Sequence, residues 1–244
     1  MTIEGRRAAG RTGPAFRPDA PCPLQEGIEM TEEVVRGPSG AIRFHAERCI
    51  HSRNCVLDRP DVFVPNVEGE WIHPERATPG ELASLARNCP SGAIQYELPD
   101  GSTGEPAPMV NTVRIRENGP LAFHAQLAID NDNASDRLRA TLCRCGASAH
   151  KPFCDGSHVA SGFAASGEVV AVDSSALARR DGPLSIDPIV DGPLQATGSL
   201  EIVTGAGKTV NRVTETWLCR CGHSQNKPYC DGSHRAAGFR TRSE

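Results

Sequence analysis

The chain has 244 residues and a formal net charge of −4, so it carries no bulk attraction for nucleic acid. No apolar run reaches the roughly 18 residues a membrane helix needs. Aromatic residues are only 5% of the chain, while 24 Gly, 19 Pro and 10 Cys favour short strands and loops organised by something other than a large apolar core.

The first thirty residues, MTIEGRRAAGRTGPAFRPDAPCPLQEGIEM, lack the apolar stretch of a secretory leader. They predict a disordered tail over 1–33, with Cys22 as a spare thiol and Met30 as an alternative start. Without export the expected location is the reducing cytoplasm. There, clustered cysteines act as ligands more often than as disulfides.

Residues 34–98 have their own character. Short strands are expected at 41–44 and 61–64, and a helix starts at Thr78-Pro79-Gly80-Glu81. Thr78 is the N-cap, Pro79 occupies the first helical position, and Glu81 completes a capping box. The helix ends at Cys89-Pro90-Ser91-Gly92, and a strand follows over 93–98. Phe63 and Trp71 are expected to pack the small core. Residues 99–111, PDGSTGEPAPMVN, form a Pro/Gly-rich linker.

The rest of the chain is an internal repeat. CRCGASAHKPFCDGSH (143–158) recurs as CRCGHSQNKPYCDGSH (219–234), and NGPLAFHAQLAI (118–129) recurs as DGPLQATGSLEI (191–202). A Gly-Phe pair follows each motif, Gly162-Phe163 and Gly238-Phe239. Strands are expected at 113–116, 121–129, 138–142, 194–203 and 210–218. The units span 112–173 and 193–244, joined by a second linker over 174–192.

Each motif offers C-x-C-x8-C-x3-H: Cys143, Cys145, Cys154 and His158, then Cys219, Cys221, Cys230 and His234. Four soft or borderline donors within sixteen residues suit a metal centre. The Asp-Gly pair after the third Cys is a turn signal that brings Cys and His to one side. Spacing alone leaves a structural Cys3His zinc site and an iron–sulfur cluster open. The wording of the motif resembles the CDGSH iron–sulfur domain family (mitoNEET-like), with Ser148 and Ser224 at its hydroxyl position and Pro152 and Pro228 at its proline position. The resemblance implies a [2Fe-2S] cluster in each motif, held by three Cys and one His, in a β-rich fold that pairs two motifs about a two-fold axis. With both copies on one chain, the pairing is expected to be internal and the protein a monomer.

Cys49, Cys55 and Cys89 form a third group, and Cys89-Pro90 is the usual end of a ferredoxin ligand run. Residues 34–98 resemble the divergent mono-cluster [4Fe-4S] ferredoxin domain. Ser52 stands where a further Cys would fall, so the resemblance implies either a [3Fe-4S] cluster or a [4Fe-4S] cluster completed by His51, Ser52 or water. His45, His73, His124, His150 and His223 lack ligand spacing and are expected at the surface. Lys151 and Lys227, before the motif prolines, are candidates for hydrogen bonds at the cluster edge.

The expected fold class is therefore α+β: a small ferredoxin-like domain followed by a β-rich tandem CDGSH domain with two pseudo-symmetric motifs. No catalytic constellation occurs. The expectation is a non-catalytic electron carrier that meets redox proteins, with no nucleic acid or membrane partner. Cluster storage or transfer to apo-acceptor proteins, redox or pH sensing, and a zinc-stabilised interaction module are the alternatives.

Overall fold

The computed structural model describes residues 32–130 and 137–241. The expectations for Cys22 and Met30 lie outside the described residues, as does nearly all of the expected tail. Among the described residues no helix is long and apolar enough to cross a membrane.

The amino-terminal part is a three-stranded antiparallel sheet in the order β1 (Glu32–Gly37), β2 (Gly40–His45), β3 (Ile94–Glu97). Strand β1 was not expected. It begins inside the predicted tail, because a tight turn at Gly37 and Gly40 folds it back along β2. Between β2 and β3 lie two helices, α1 (Asn54–Asp58) and α2 (Pro79–Asn88). Helix α2 starts on the expected capping box: Glu81 N–H donates to the Thr78 hydroxyl, and Thr78 N–H donates to the Glu81 carboxylate at 2.8 Å. Its Leu82, Leu85 and Ala86 face β2 and β3. The strand expected at 61–64 is only a single bridge between Phe63 and Ile72. Phe63 and Trp71 do pack the core, with Trp71 edge-on to Phe44 at 4.9 Å.

The remainder is one six-stranded sheet of β4 (Thr112–Ile115), β5 (Leu121–Ile129), β6 (Arg137–Leu142), β7 (Pro183–Pro188), β8 (Leu194–Val203) and β9 (Thr209–Leu218). Short helices α3 (Ser157–Ala160) and α4 (Ser233–Ala236) begin on the last two residues of the two CDGSH sequences. Each repeat contributes an antiparallel set, β4–β5–β6 and β7–β8–β9. The sets then exchange partners: β4 runs parallel to β8, and β7 runs parallel to β5.

The segment 174–192 is thus not simply a linker. Its prolines stand at the ends of β7, where a missing N–H costs little. Between them Leu184 and Ile186 alternate into the shared core with Phe123, Leu127, Leu200 and Ile202. Nor is 99–111 free of structure: Thr103 bridges to Glu97, and Glu105 and Asn111 are buried.

Candidate metal centres

The two CDGSH motifs have nearly superimposable local geometry. Strand β6 delivers Cys143 and strand β9 delivers Cys219, each at the point where the chain leaves the sheet. The C-x-C pairs hold their sulfurs 3.7 Å apart in both motifs. Two thiolates on one tetrahedral metal with bonds of about 2.3 Å stand about 3.8 Å apart, so each pair already spans one tetrahedral edge. Opposite them, Cys154 Sγ lies 3.3 Å from His158 Nδ1, and Cys230 Sγ lies 3.4 Å from His234 Nδ1. Among the described residues no three His, Cys, Asp or Glu converge closely enough to hold a single metal ion. The donors come as two separate pairs, each sized for one metal atom.

The Asp-Gly turn places the second pair. Asp155 accepts from Ala149 N–H at 2.8 Å and Ser157 N–H at 3.0 Å, and Asp231 accepts from Gln225 and Ser233 at the same distances. Burial works against the Asp155 charge, but these hydrogen bonds prevail and hold its pKa below the ordinary value. Ser148 and Ser224 are buried, and each donates to the carbonyl of the residue before the third cysteine at 2.7 Å. Lys151 and Lys227, candidates for hydrogen bonds at the cluster edge, donate to the Ser148 and Ser224 carbonyls within their own loops.

The thiols are electrostatically prepared. The hydrogen bond shared by Cys143 and Cys145 holds the Cys143 pKa down at about 6 and pushes Cys145 up. The bond shared by Cys219 and Cys221 likewise holds Cys219 at about 6 and raises Cys221. Backbone N–H groups of Ala147, Gly156, His223 and Gly232 point at the remaining sulfurs at 3.4 Å. Burial raises Cys154 to about 11 and lowers His158 below the ordinary histidine value. The site therefore favours a neutral imidazole, the form whose ring nitrogen can bind a metal.

The motifs meet at their C-x-C loops. A Cβ on Gly146 would lie 2.6 Å from the Cys221 carbonyl oxygen, and one on Gly222 would lie 2.6 Å from that of Cys145. Lys151 of the first motif also reaches the ring of Phe239, which follows the second, at 6.0 Å. The C-x-C loops of the two motifs are thus in direct contact.

Two residues escaped the sequence reading. Arg144 and Arg220, the middle residues of the C-x-C pairs, are each only 1% exposed. Arg144 donates to the carbonyls of Gly119, Ser166, Arg116 and Ala165 and lies under Phe163 at 5.3 Å. Arg220 donates to Gly192, Ile189 and the Thr241 hydroxyl and lies under Phe239 at 5.4 Å. Burial pulls Arg144 down to about 10, which leaves it cationic at neutral pH, with Cys219 of the opposite motif among the groups that oppose the shift. The repetition of Arg in both copies was the available signal. The Gly-Phe pairs, noted as repeats, turn out to be the ring partners of these arginines.

In the amino-terminal part, Cys89 is buried at the end of α2, and Cys49 and Cys55 pack against the same core. Burial raises the Cys55 pKa, and the nearby Cys89 adds to the shift. His51 Nδ1 lies 4.0 Å from Cys49 Sγ on a backbone of positive φ. Ser91, also unforeseen, is buried with its hydroxyl 3.6 Å from Cys89 Sγ. His124, expected at the surface, instead stands 3.7 Å from the buried Glu105.

Comparison with known proteins agrees with both halves of this geometry. Residues 112–159 and 191–235 match the family model described as iron-binding zinc finger CDGSH type, and residues 35–99 match that of the divergent 4Fe-4S mono-cluster. No curated protein matches the chain. The donor pairs fit a group with more than one metal atom, and the chain is an iron–sulfur-binding protein in which a divergent 4Fe-4S mono-cluster domain precedes two CDGSH domains.

Proposed function

We propose that this protein is a non-catalytic electron carrier with a [2Fe-2S] cluster at each CDGSH motif and one [3Fe-4S] or [4Fe-4S] cluster in the amino-terminal domain. The ligands would be Cys143, Cys145, Cys154 and His158; Cys219, Cys221, Cys230 and His234; and Cys49, Cys55 and Cys89, with His51 or Ser52 as a fourth donor, of which His51 lies 4.0 Å from Cys49 Sγ. The carrying observation is the arrangement of each CDGSH set as a C-x-C pair with sulfurs 3.7 Å apart and a Cys–His pair at 3.3–3.4 Å, in segments that match an iron-binding CDGSH family model. That match supports an iron centre over a single zinc ion. A cluster of this kind would supply one-electron chemistry, and a neutral imidazole in place of one thiolate raises its potential by removing negative charge.

The protein's own residues would hold each centre, share its charge and restrict its access to water. Internal pairing of the motifs supports a monomeric carrier; the cytoplasm as its location and redox proteins as its partners belong to the same proposal. A second reading, cluster donation to apo-acceptor proteins, draws support from a cavity of about 800 Å³ lined by Cys230, His234 and Trp217, which opens the second site to solvent.

Iron and sulfide analysis with EPR on anaerobically purified protein tests the assignment. Full loading predicts about seven to eight irons, and a colourless zinc protein defeats it. Anaerobic mixing with an apo-ferredoxin, set against stopped-flow reduction by a reductase, separates donation from electron transfer.

A further inference from the structure

Arg139 lies on β6, four residues before the ligand Cys143, yet its side chain leaves the CDGSH sheet and enters the amino-terminal domain. It is 3% exposed. One terminal nitrogen donates to the carbonyls of Ala86 and Cys89, the latter at 2.6 Å. The other donates to the Ile94 carbonyl at 3.1 Å and to the Glu105 carboxylate at 2.5 Å. Glu105 is itself buried. The backbones touch as well: a Cβ on Gly92, at φ +70°, would lie 2.9 Å from the Arg139 carbonyl oxygen. The loop Cys89-Pro90-Ser91-Gly92 is thus seated on the strand that leads to Cys143.

The other repeat has no such tie. The residue four positions before Cys219 is Glu215, which is exposed and accepts from Gln195 at 2.8 Å. The contact therefore belongs to the first CDGSH unit alone.

We propose that the Arg139–Glu105 ion pair sets the reduction potential of the amino-terminal centre, making the first CDGSH unit part of that centre's electrostatic environment. The guanidinium sits on the peptide of Cys89, and Glu105 is held on the other terminal nitrogen, so the positive end of the pair faces the ligand. Reduction adds negative charge at the centre, and a buried cation beside a ligand favours the reduced form. Arg139 acts through Cys89 and is a positioning residue. The inference rests on reading Cys49, Cys55 and Cys89 as ligands of a redox centre.

The test is a redox titration of the loaded full-length protein, followed by EPR of the amino-terminal centre identified by its loss in Cys89→Ser. Arg139→Gln should shift that midpoint to more negative potential, and Glu105→Gln should shift it to more positive potential. Arg139→Lys, which keeps the charge, should stay nearer wild type than Arg139→Gln. Glu215→Gln should leave it unmoved. A merely structural role would move both pair variants in one direction or neither, and that result overturns the proposal. If Arg139→Gln does not fold, Glu105→Gln decides: no positive shift overturns it. A wild-type protein with no EPR signal removed by Cys89→Ser defeats the ligand reading and the proposal together, an outcome distinct from an intact signal that does not shift.

Discussion

Gly146 lies against the carbonyl of Cys221, and Gly222 lies against the carbonyl of Cys145, each so close that a Cβ would come within 2.6 Å of the oxygen. Both residues have positive φ, +83° and +85°. Each motif therefore closes only if the other presents a bare backbone. Gly146→Ala should lower stability by at least about 2 kcal/mol, combining left-handed strain with overpacking. Gly156→Ala has similar strain at φ +88° but open space around it, and should cost only about 1–2 kcal/mol. Denaturant melts of the two variants check this; equal losses would remove the inter-motif contact as the cause.

Arg144 is a buried cation that donates to backbone carbonyls on one side and meets the Phe163 ring on the other. Arg144→Ala would leave the Gly119 and Ser166 carbonyls without a donor, whereas those of Arg116 and Ala165 keep the N–H groups of Gly119 and Asn118, and each unsatisfied buried group costs about 1–3 kcal/mol. Lysine cannot restore the fork, because one ammonium cannot reach acceptors spread around a planar guanidinium. Both variants should therefore be strongly destabilised, with Arg144→Lys recovering only a minor part. Thermal unfolding of the loaded and iron-free proteins would measure it, and a wild-type melting temperature for Arg144→Lys would refute the argument.

Acid should empty the CDGSH sites. Burial, with Arg116 and Arg144 adding to it against the attraction of Asp155, holds His158 below the ordinary histidine value of about 6.5. A histidine with a lowered folded pKa contributes stability above its unfolded pKa. That contribution is lost as pH falls through the lower folded value. Protons and metal also compete for the same Nδ1. Visible absorbance should thus fade below about pH 6.5, and replacing His158 and His234 by Cys should move the fading to lower pH. Fading at an unchanged pH in the double variant would sink the explanation.

The capping box at Thr78 matters because helix α2 ends at Cys89. Thr78→Ala removes the acceptor for Glu81 N–H and should cost about 1 kcal/mol. Hydrogen exchange should rise through α2 and spare the six-stranded sheet. Uniform exchange across the molecule would contradict this local role.

Much of the site was legible because ligand spacing is local. The sixteen-residue motifs, the capping box and the strands at 121–129 and 194–203 appear where the sequence places them. The failures are non-local. Pro183 and Pro188 read as linker residues, yet β7 is a strand because Leu184 and Ile186 have β5 and β8 to pair with. Arg139 and Arg144 drew no reading from the sequence, since nothing in the neighbouring residues reveals that carbonyls distant along the chain will surround them.

The strand exchange that joins the repeats has an evolutionary consequence. Because β4 completes the second set and β7 completes the first, neither half possesses a finished sheet. A gene fragment encoding one motif would yield a product with a raw hydrogen-bonding edge, needing another copy to cover it. The duplicated halves are thus obliged to persist together, while their outer faces remain free to diverge, one receiving the amino-terminal domain through Arg139 and the other presenting Glu215 and Trp217 to the solvent.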